Sequence, residues 1–322
     1  LVRLVLALAA GLLAAHWLAG LNWSLAAVFS AIVLATGPTV VTPLVRQIRL
    51  AAPLGEVLEG EGLVLEPIGA VLALLLLELA LGDLHGWREL ALGLLQRLGG
   101  GVLIGAGCGW LLAEALSRIP AQAAGALRLQ LTLGSLFLMF SGCELWLPES
   151  GLPAAVAAGV VVGRRPDTDA AELDGQISQL AQLAITMLFP LLAADVSWAE
   201  LSPLGWGGVA CVLVLMLVVR PVAVGLATWG LDFSLPQRAL LAWLAPRGIV
   251  TAAVASLFAI RLEQAGVVGA GRLQGLVFLT ILLTVGLQGL SAGPLARRLG
   301  LEAAADPGPV GATAVQQQPG DQ

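Results

Sequence analysis

The chain has 322 residues, of which 58% are hydrophobic and only 11% charged, with a mean hydropathy of +0.92. Soluble domains are about a quarter charged, so this composition excludes a globular domain that faces water all round. The formal charge of −5 carries less information than where the few charges sit.

A bilayer core about 30 Å thick requires about 20 apolar residues per crossing helix. On that measure the sequence predicts an all-α polytopic membrane protein with about ten transmembrane helices. The spans fall near 4–20, 24–44, 61–82, 93–116, 127–147, 150–163, 177–196, 204–230, 239–260 and 273–293. The sixth is short and rich in Gly and Ala, the signature of a short crossing or a re-entrant segment. The segment Arg164–Gly175 reads as a solvated charged loop. After residue 300 the chain turns to Pro, Gly and Gln, a composition that buries no core. This divides it into a membrane transport domain over 1–300 and a disordered cytoplasmic tail over 301–322.

All 16 basic residues are Arg. With the first span starting inside, Arg3, Arg46, Arg49, Arg118, Arg128, Arg164, Arg165, Arg238, Arg297 and Arg298 collect on the cytoplasmic side. Arg88, Arg97, Arg261 and Arg272 collect outside, which is the positive-inside bias. Both termini are then cytoplasmic. Trp23, Trp87, Trp146, Trp198 and Trp206 fall near the outer ends, where an aromatic belt would lie. Cys108, Cys143 and Cys211 stand alone in apolar runs, without CxxC or Cys/His spacing. His16 and His85 are too separate for a metal site. No protease, hydrolase or phosphate-loop signature appears, so neither an enzyme nor a cofactor is expected, and nothing points to a nucleic-acid partner.

Two spans are interrupted. The second contains Thr36-Gly37-Pro38-Thr39, and the ninth contains Pro246-Arg247-Gly248. Pro removes a helical hydrogen bond and Gly loosens the backbone. The two spans run in opposite directions, and broken helices at inverted-repeat positions mark the binding site of many transporters. Two carboxylates open the third span. Glu66 lies about 7.5 Å deeper than Glu61 and is turned from it by roughly 140°, so the two can face different neighbours. Ionisable residues at such depth are costly and usually functional, which singles out Glu66. Arg247 is placed to neutralise a broken helix end or to pair with a carboxylate. Arg220, before Pro221, reads as a pin for a bent helix. Glu78, Glu114, Glu144 and Asp195 read as charges near span ends.

The blocks Ala35–Leu50 (ATGPTVVTPLVRQIRL), Glu59–Val71 (EGEGLVLEPIGAV), Ala245–Leu257 (APRGIVTAAVASL) and Thr280–Leu299 (TILLTVGLQGLSAGPLARRL) resemble bacterial members of the sodium/proton exchanger family, within the monovalent cation:proton antiporters. Such proteins have about thirteen helices, so the resemblance implies a fragment lacking about three N-terminal helices. A processed signal peptide before Leu1 is the other reading of that start. The resemblance further implies a secondary active antiporter of the bacterial inner membrane, working as a homodimer by alternating access. One intramembrane carboxylate would bind a monovalent cation, sodium first and potassium second, or protons. That carboxylate falls on Glu66, with oxygen ligands around Thr36 and Thr39, while Glu61 would form a structural ion pair with Arg247. Gly37, Pro38, Pro246 and Gly248 would be the helix interruptions.

Two positions depart from the family pattern. Leu65-Glu66 stands for the common Asn-Asp, and Thr36-Gly37-Pro38 for Thr-Asp-Pro. Two potential oxygens are absent and the carboxylate is one methylene longer, whereas a hard cation wants several oxygens. Two other classes therefore stay open: a non-transporting homologue acting as sensor or assembly partner, and an anion carrier using Arg247.

Overall fold

The computed structural model describes residues 2–119, 125–165, 170–194 and 198–302. Among these residues the architecture is helical, and the only extended pairing is an antiparallel bridge between Leu50 and Glu302. In chain order the helices are α1 Val2–Trp17, α2 Trp23–Leu34, α3 Pro38–Gln47, α4 Ala52–Leu81, α5 Trp87–Ser117, α6 Gly125–Trp146, α7 Gly151–Gly163 and α8 Ala170–Ala194. The short α9 Trp198–Leu201 follows, then α10 Gly205–Val214, α11 Arg220–Ala227, α12 Leu235–Trp243, α13 Ile249–Gln264, α14 Ala270–Leu283 and α15 Gly289–Arg298. π-helical turns at Leu215–Val219 and Thr284–Gln288 join α10 to α11 and α14 to α15.

Six of the resulting rods are long and apolar enough to cross a membrane: Trp23–Gln47, Pro53–Leu81, Trp87–Ser117, Gly125–Trp146, Ser202–Ala227 and Ala270–Arg298. The apolar helices at Leu4–Trp17 and Gly151–Gly163 are shorter. Local chemistry sets several ends. Asn22 accepts from the Leu25 amide at 2.8 Å to start α2. Ser234 and Gln237 form a reciprocal capping box at the start of α12. Gly82, at φ 86, closes α4 in the left-handed conformation.

Three boundaries differ from the sequence reading. α4 begins at Ala52, not near 61, because Glu56 and Glu59 interrupt the apolar run but not the helix. The charged stretch expected as a loop over 164–175 is helical from Ala170 onward. Leu301 and Glu302, expected in the tail, instead dock on the α3–α4 turn, where the Ala51 amide donates to the Leu301 carbonyl at 3.2 Å. The rest of the predicted tail, and Asp195, lie outside the described residues.

The helices fall into two groups. In the larger, α1, α2, α4, α10, α13 and α14 bury a core around Leu25, Phe29, Leu75, Phe258 and Leu276. A second cluster, with Leu54, Leu240 and Leu244, ties α3, α11, α12 and α15 to the start of α4. In the smaller group α5 and α7 meet backbone to backbone. A Cβ on Gly101 would lie 2.6 Å from the Ser150 carbonyl, and one on Gly109 2.7 Å from Ala158 Cα, with Gly105 against Ala154 between them. Small residues at fourfold spacing allow this approach where lipid gives helices no hydrophobic reason to associate. Trp87, Trp146, Trp198 and Trp206 are exposed at or beside helix ends, as belt positions require.

Candidate functional site

The two interrupted spans cross each other. Between α2 and α3 the chain is non-helical over 35–37, and between α12 and α13 over 244–248. They touch at Gly37 and Gly248: a Cβ on Gly37 would lie 2.7 Å from Gly248 Cα. Neither glycine has a positive φ, so close approach of two backbones, not backbone conformation, requires them. Pro38 starts α3, where its missing amide costs nothing.

α4 packs across the crossing with one face. Gly62 comes against the Thr36 carbonyl and Pro38, and Gly69 against Ala31 and Ala35. Gly62, Glu66 and Gly69 follow i, i+4, i+7 spacing, so the two glycines that admit the break also aim Glu66 at it. Glu66 is 6% exposed, and its Oε1 has no hydrogen-bond partner among the described residues. The Oγ1 atoms of Thr36, Thr39 and Thr251 are also buried without a partner there. A Cβ on Gly248 would sit 2.7 Å from Thr39 Oγ1 and 3.9 Å from Glu66 Oε1, so both oxygens border the same point. Buried polar atoms are normally paired, and a group of unpaired oxygens that includes a carboxylate is what a desolvated cation requires. Among the described residues no group of three or more His, Cys, Asp or Glu assembles.

Arginines hold the other helix ends. Arg247 Nη1 donates to the carbonyls of Ala35 at 2.9 Å and Leu34 at 3.3 Å, neutralising the C-terminal end of α2. Arg220 Nη2 donates to the carbonyls of Leu241 at 3.2 Å and Leu244 at 3.1 Å, doing the same for α12. Arg220 also forms a bidentate pair with Glu61, Nη2 reaching Oε2 at 2.9 Å while Nη1 meets Oε1. Both side chains are 9% exposed. Glu61, which the sequence reading paired with Arg247, thus forms a bidentate pair with Arg220. Arg220 directly follows the π turn Leu215–Val219, and its guanidinium meets Glu61 and the end of α12 together. Arg220 is more than a pin for a bend.

The sequence reading also missed Thr284 and Gln288. Thr284 Oγ1 accepts from the Arg247 amide at 3.4 Å, and Gln288 Oε1 from the Ala245 amide at 3.0 Å. They are 2% and 1% exposed and flank the π turn of the last rod, so they satisfy backbone groups the break leaves open. The spacing Thr280, Thr284, Gln288 on one helical face was the available signal. Thr251 was missed too; it stands in the first turn of α13.

The family model described as sodium/hydrogen exchanger, transmembrane, matches residues 1–298. The K(+)/H(+) antiporter NhaP2 of Shewanella sp. (strain MR-4) is 25% identical over 309 residues, covering 95% of this chain and 52% of that protein. The Na(+)/H(+) antiporter NhaH of Halobacillus dabanensis is 25% identical over 303 residues, covering 89% of this chain and 72% of that one. The chain therefore spans about half the length of the Shewanella relatives it matches. The solved structure of the sodium proton antiporter MjNhaP1 from Methanocaldococcus jannaschii at pH 8 superposes with a TM-score of 0.76 at 23% identity, over 92% of this chain and 78% of that one. At that identity the likeness speaks for the fold.

Proposed function

Since the chain belongs to the sodium/hydrogen exchanger transmembrane family, we propose that it exchanges a monovalent cation for protons through Glu66. The observation that carries this reading is the buried Glu66 Oε1, left without a partner beside the glycine-on-glycine crossing. A carboxylate there is occupied either by a proton or by a cation, and competition for one negative site is enough to couple their movements. The cation's oxygens come from Glu66, Thr36, Thr39 and Thr251, supplemented by peptide carbonyls of the two breaks. Gly37 offers no side-chain oxygen, and the Gly248 backbone fills the space one would need.

In this reading α2–α3 and α12–α13 are the inverted-repeat halves of a protein with about ten crossing helices. The larger helix group moves against the smaller one to alternate exposure of the site. Residues 1–300 form the transport unit, working as a homodimer in a bacterial inner membrane with the C-terminus cytoplasmic. Sodium and potassium both fit, and the relatives named for their ions divide between them. Arg247 is engaged by the end of α2, which counts against an anion carrier built on it.

The test is dye-reported pH change in everted vesicles carrying the complete gene product, with sodium, potassium and lithium added in turn. Dequenching by one cation, abolished in Glu66→Gln with insertion and folding intact, is the expected result. Exchange retained in Glu66→Gln would remove Glu66 from the mechanism. Silence toward every cation from the folded wild-type protein would favour the non-transporting homologue, a reading that the missing oxygens at Leu65 and Gly37 support.

A further inference from the structure

We propose that Gln288 and Thr284, on the last rod, are positioning residues for the cation site: they hold the α12–α13 break in register, and through it both sides of the crossing at Gly37 and Gly248. This role rests on the reading in which the cation sits beside Glu66, and supplies what holds that place in shape.

The break and the last rod meet as a ladder. The Trp243 indole Nε1 donates to Ser291 Oγ at 2.8 Å, the Ala245 amide to Gln288 Oε1 at 3.0 Å and the Arg247 amide to Thr284 Oγ1 at 3.4 Å. Alternate residues of the break thus run along the rod against its direction, meeting it at 291, 288 and 284. The spacing fits because two extended residues cover about 6.6 Å and four helical ones about 6 Å. Pro246, between the two amides, has no N–H to place. Side chains of one helix therefore do for this segment what a neighbouring strand does in a sheet, and Gln288 makes the shorter of the two bonds to its backbone.

The rungs are built as acceptors. Thr284 Oγ1 donates its own hydrogen to the Thr280 carbonyl at 2.7 Å, so only its lone pairs are left for the Arg247 amide. Gln288 and Thr284 are both fully buried, so no solvent competes for these bonds. They stand at the two ends of the π turn Thr284–Gln288, a kind of turn frequent at functional sites.

The ladder fixes the crossing. Arg247 is tied to Thr284 by its amide, and its Nη1 donates to the carbonyls of Leu34 and Ala35 where α2 stops. One residue further on, Gly248 meets Gly37, and a Cβ there would lie 2.7 Å from Thr39 Oγ1 and 3.9 Å from Glu66 Oε1. The last rod thereby sets where the second break stands against the first, and neither Gln288 nor Thr284 needs to touch the cation. A break that loses a rung gains other arrangements. Only the fraction in register presents the site, and apparent affinity falls by that fraction.

The experiment measures the half-saturating cation concentration of the complete protein in detergent micelles, at one alkaline pH, from the rise in unfolding temperature as sodium or potassium is added. Gln288→Met, which keeps the length of the side chain and removes the acceptor, should raise it about tenfold, the weight of one lost buried hydrogen bond. Thr284→Val should raise it in the same sense, and Thr284→Ser should restore the wild-type value. Gln274→Met is the control: it removes a bond to Ser256 of α13 from the same rod, and should lower stability without moving half-saturation. Half-saturation unchanged in both Gln288→Met and Thr284→Val, or raised as much by Gln274→Met, overturns the proposal, as does a wild type that responds to neither cation. A wild type that binds a cation but does not exchange it in vesicles, with half-saturation raised in Gln288→Met, defeats the exchange reading and upholds the positioning role.

Discussion

The Arg220–Glu61 pair offers the sharpest energetic test of the site. Both partners are 9% exposed, so solvent screening removes little of their interaction. Replacing Arg220 by Met strips Glu61 of its bidentate partner and leaves the Leu241 and Leu244 carbonyls without their donor. Breaking one side of a buried pair costs about 3–5 kcal/mol, and Arg220→Met should fall at the upper end because two helix-end carbonyls are orphaned as well. Glu61→Gln should cost less, since Arg220 keeps both carbonyls. The double variant should be far better than the sum of the singles, with a coupling energy of about 2–3 kcal/mol. Unfolding of the purified protein in mixed micelles titrated with dodecyl sulfate measures all four corners of this cycle. If Arg220 and Glu61 prove additive to within about 0.5 kcal/mol, the assignment of the pair is wrong.

Two glycine substitutions test the close approaches. Gly248→Ala would set a methyl 2.7 Å from Thr39 Oγ1, which can rotate, and 3.1 Å from Gly37 Cα, which cannot. The expected result is a loss of about 1–3 kcal/mol in stability and at least roughly tenfold lower exchange in vesicles, a distortion at the site being felt in rate as well. In α5, Gly105→Ala drives a methyl into the Ala154 backbone and should also destabilise by about 1–3 kcal/mol. Gly107→Ala, with nothing within 4 Å, should be neutral or raise stability by up to about 1 kcal/mol. Equal effects at 105 and 107 in the same unfolding assay would refute backbone packing of α5 on α7.

Pro and Gly inside apolar runs identified both breaks, because such residues interrupt a helix wherever they occur. Glu66 was legible from its depth, since a carboxylate far from either interface needs a reason. The pairing of Glu61 with Arg220 was not legible: Arg220 is 159 positions away in sequence, and the π turn before it has no compositional mark beyond Pro221. Arg247 was singled out because it stands in a broken span, and broken spans expose carbonyls, two of which it binds. Thr284 and Gln288 were overlooked because Thr and Gln within an apolar helix resemble incidental polarity until the facing backbone is known. The early start of α4 shows the reverse limit: a hydropathy window ends where charge begins, whereas a helix ends only where its hydrogen bonds do.

The bridge between Leu50 and Glu302 makes the end of α15 and the turn below α3 one mechanical junction. With the Ala51 amide on the Leu301 carbonyl, it acts as a clasp between the chain leaving the last helix and the half-helix whose first turn carries Thr39. Traction on the polypeptide beyond Glu302 is therefore delivered to the α3–α4 turn before it can reach α15. Anything that grips this protein by that segment holds, at one remove, the half-helix that begins at the break between α2 and α3.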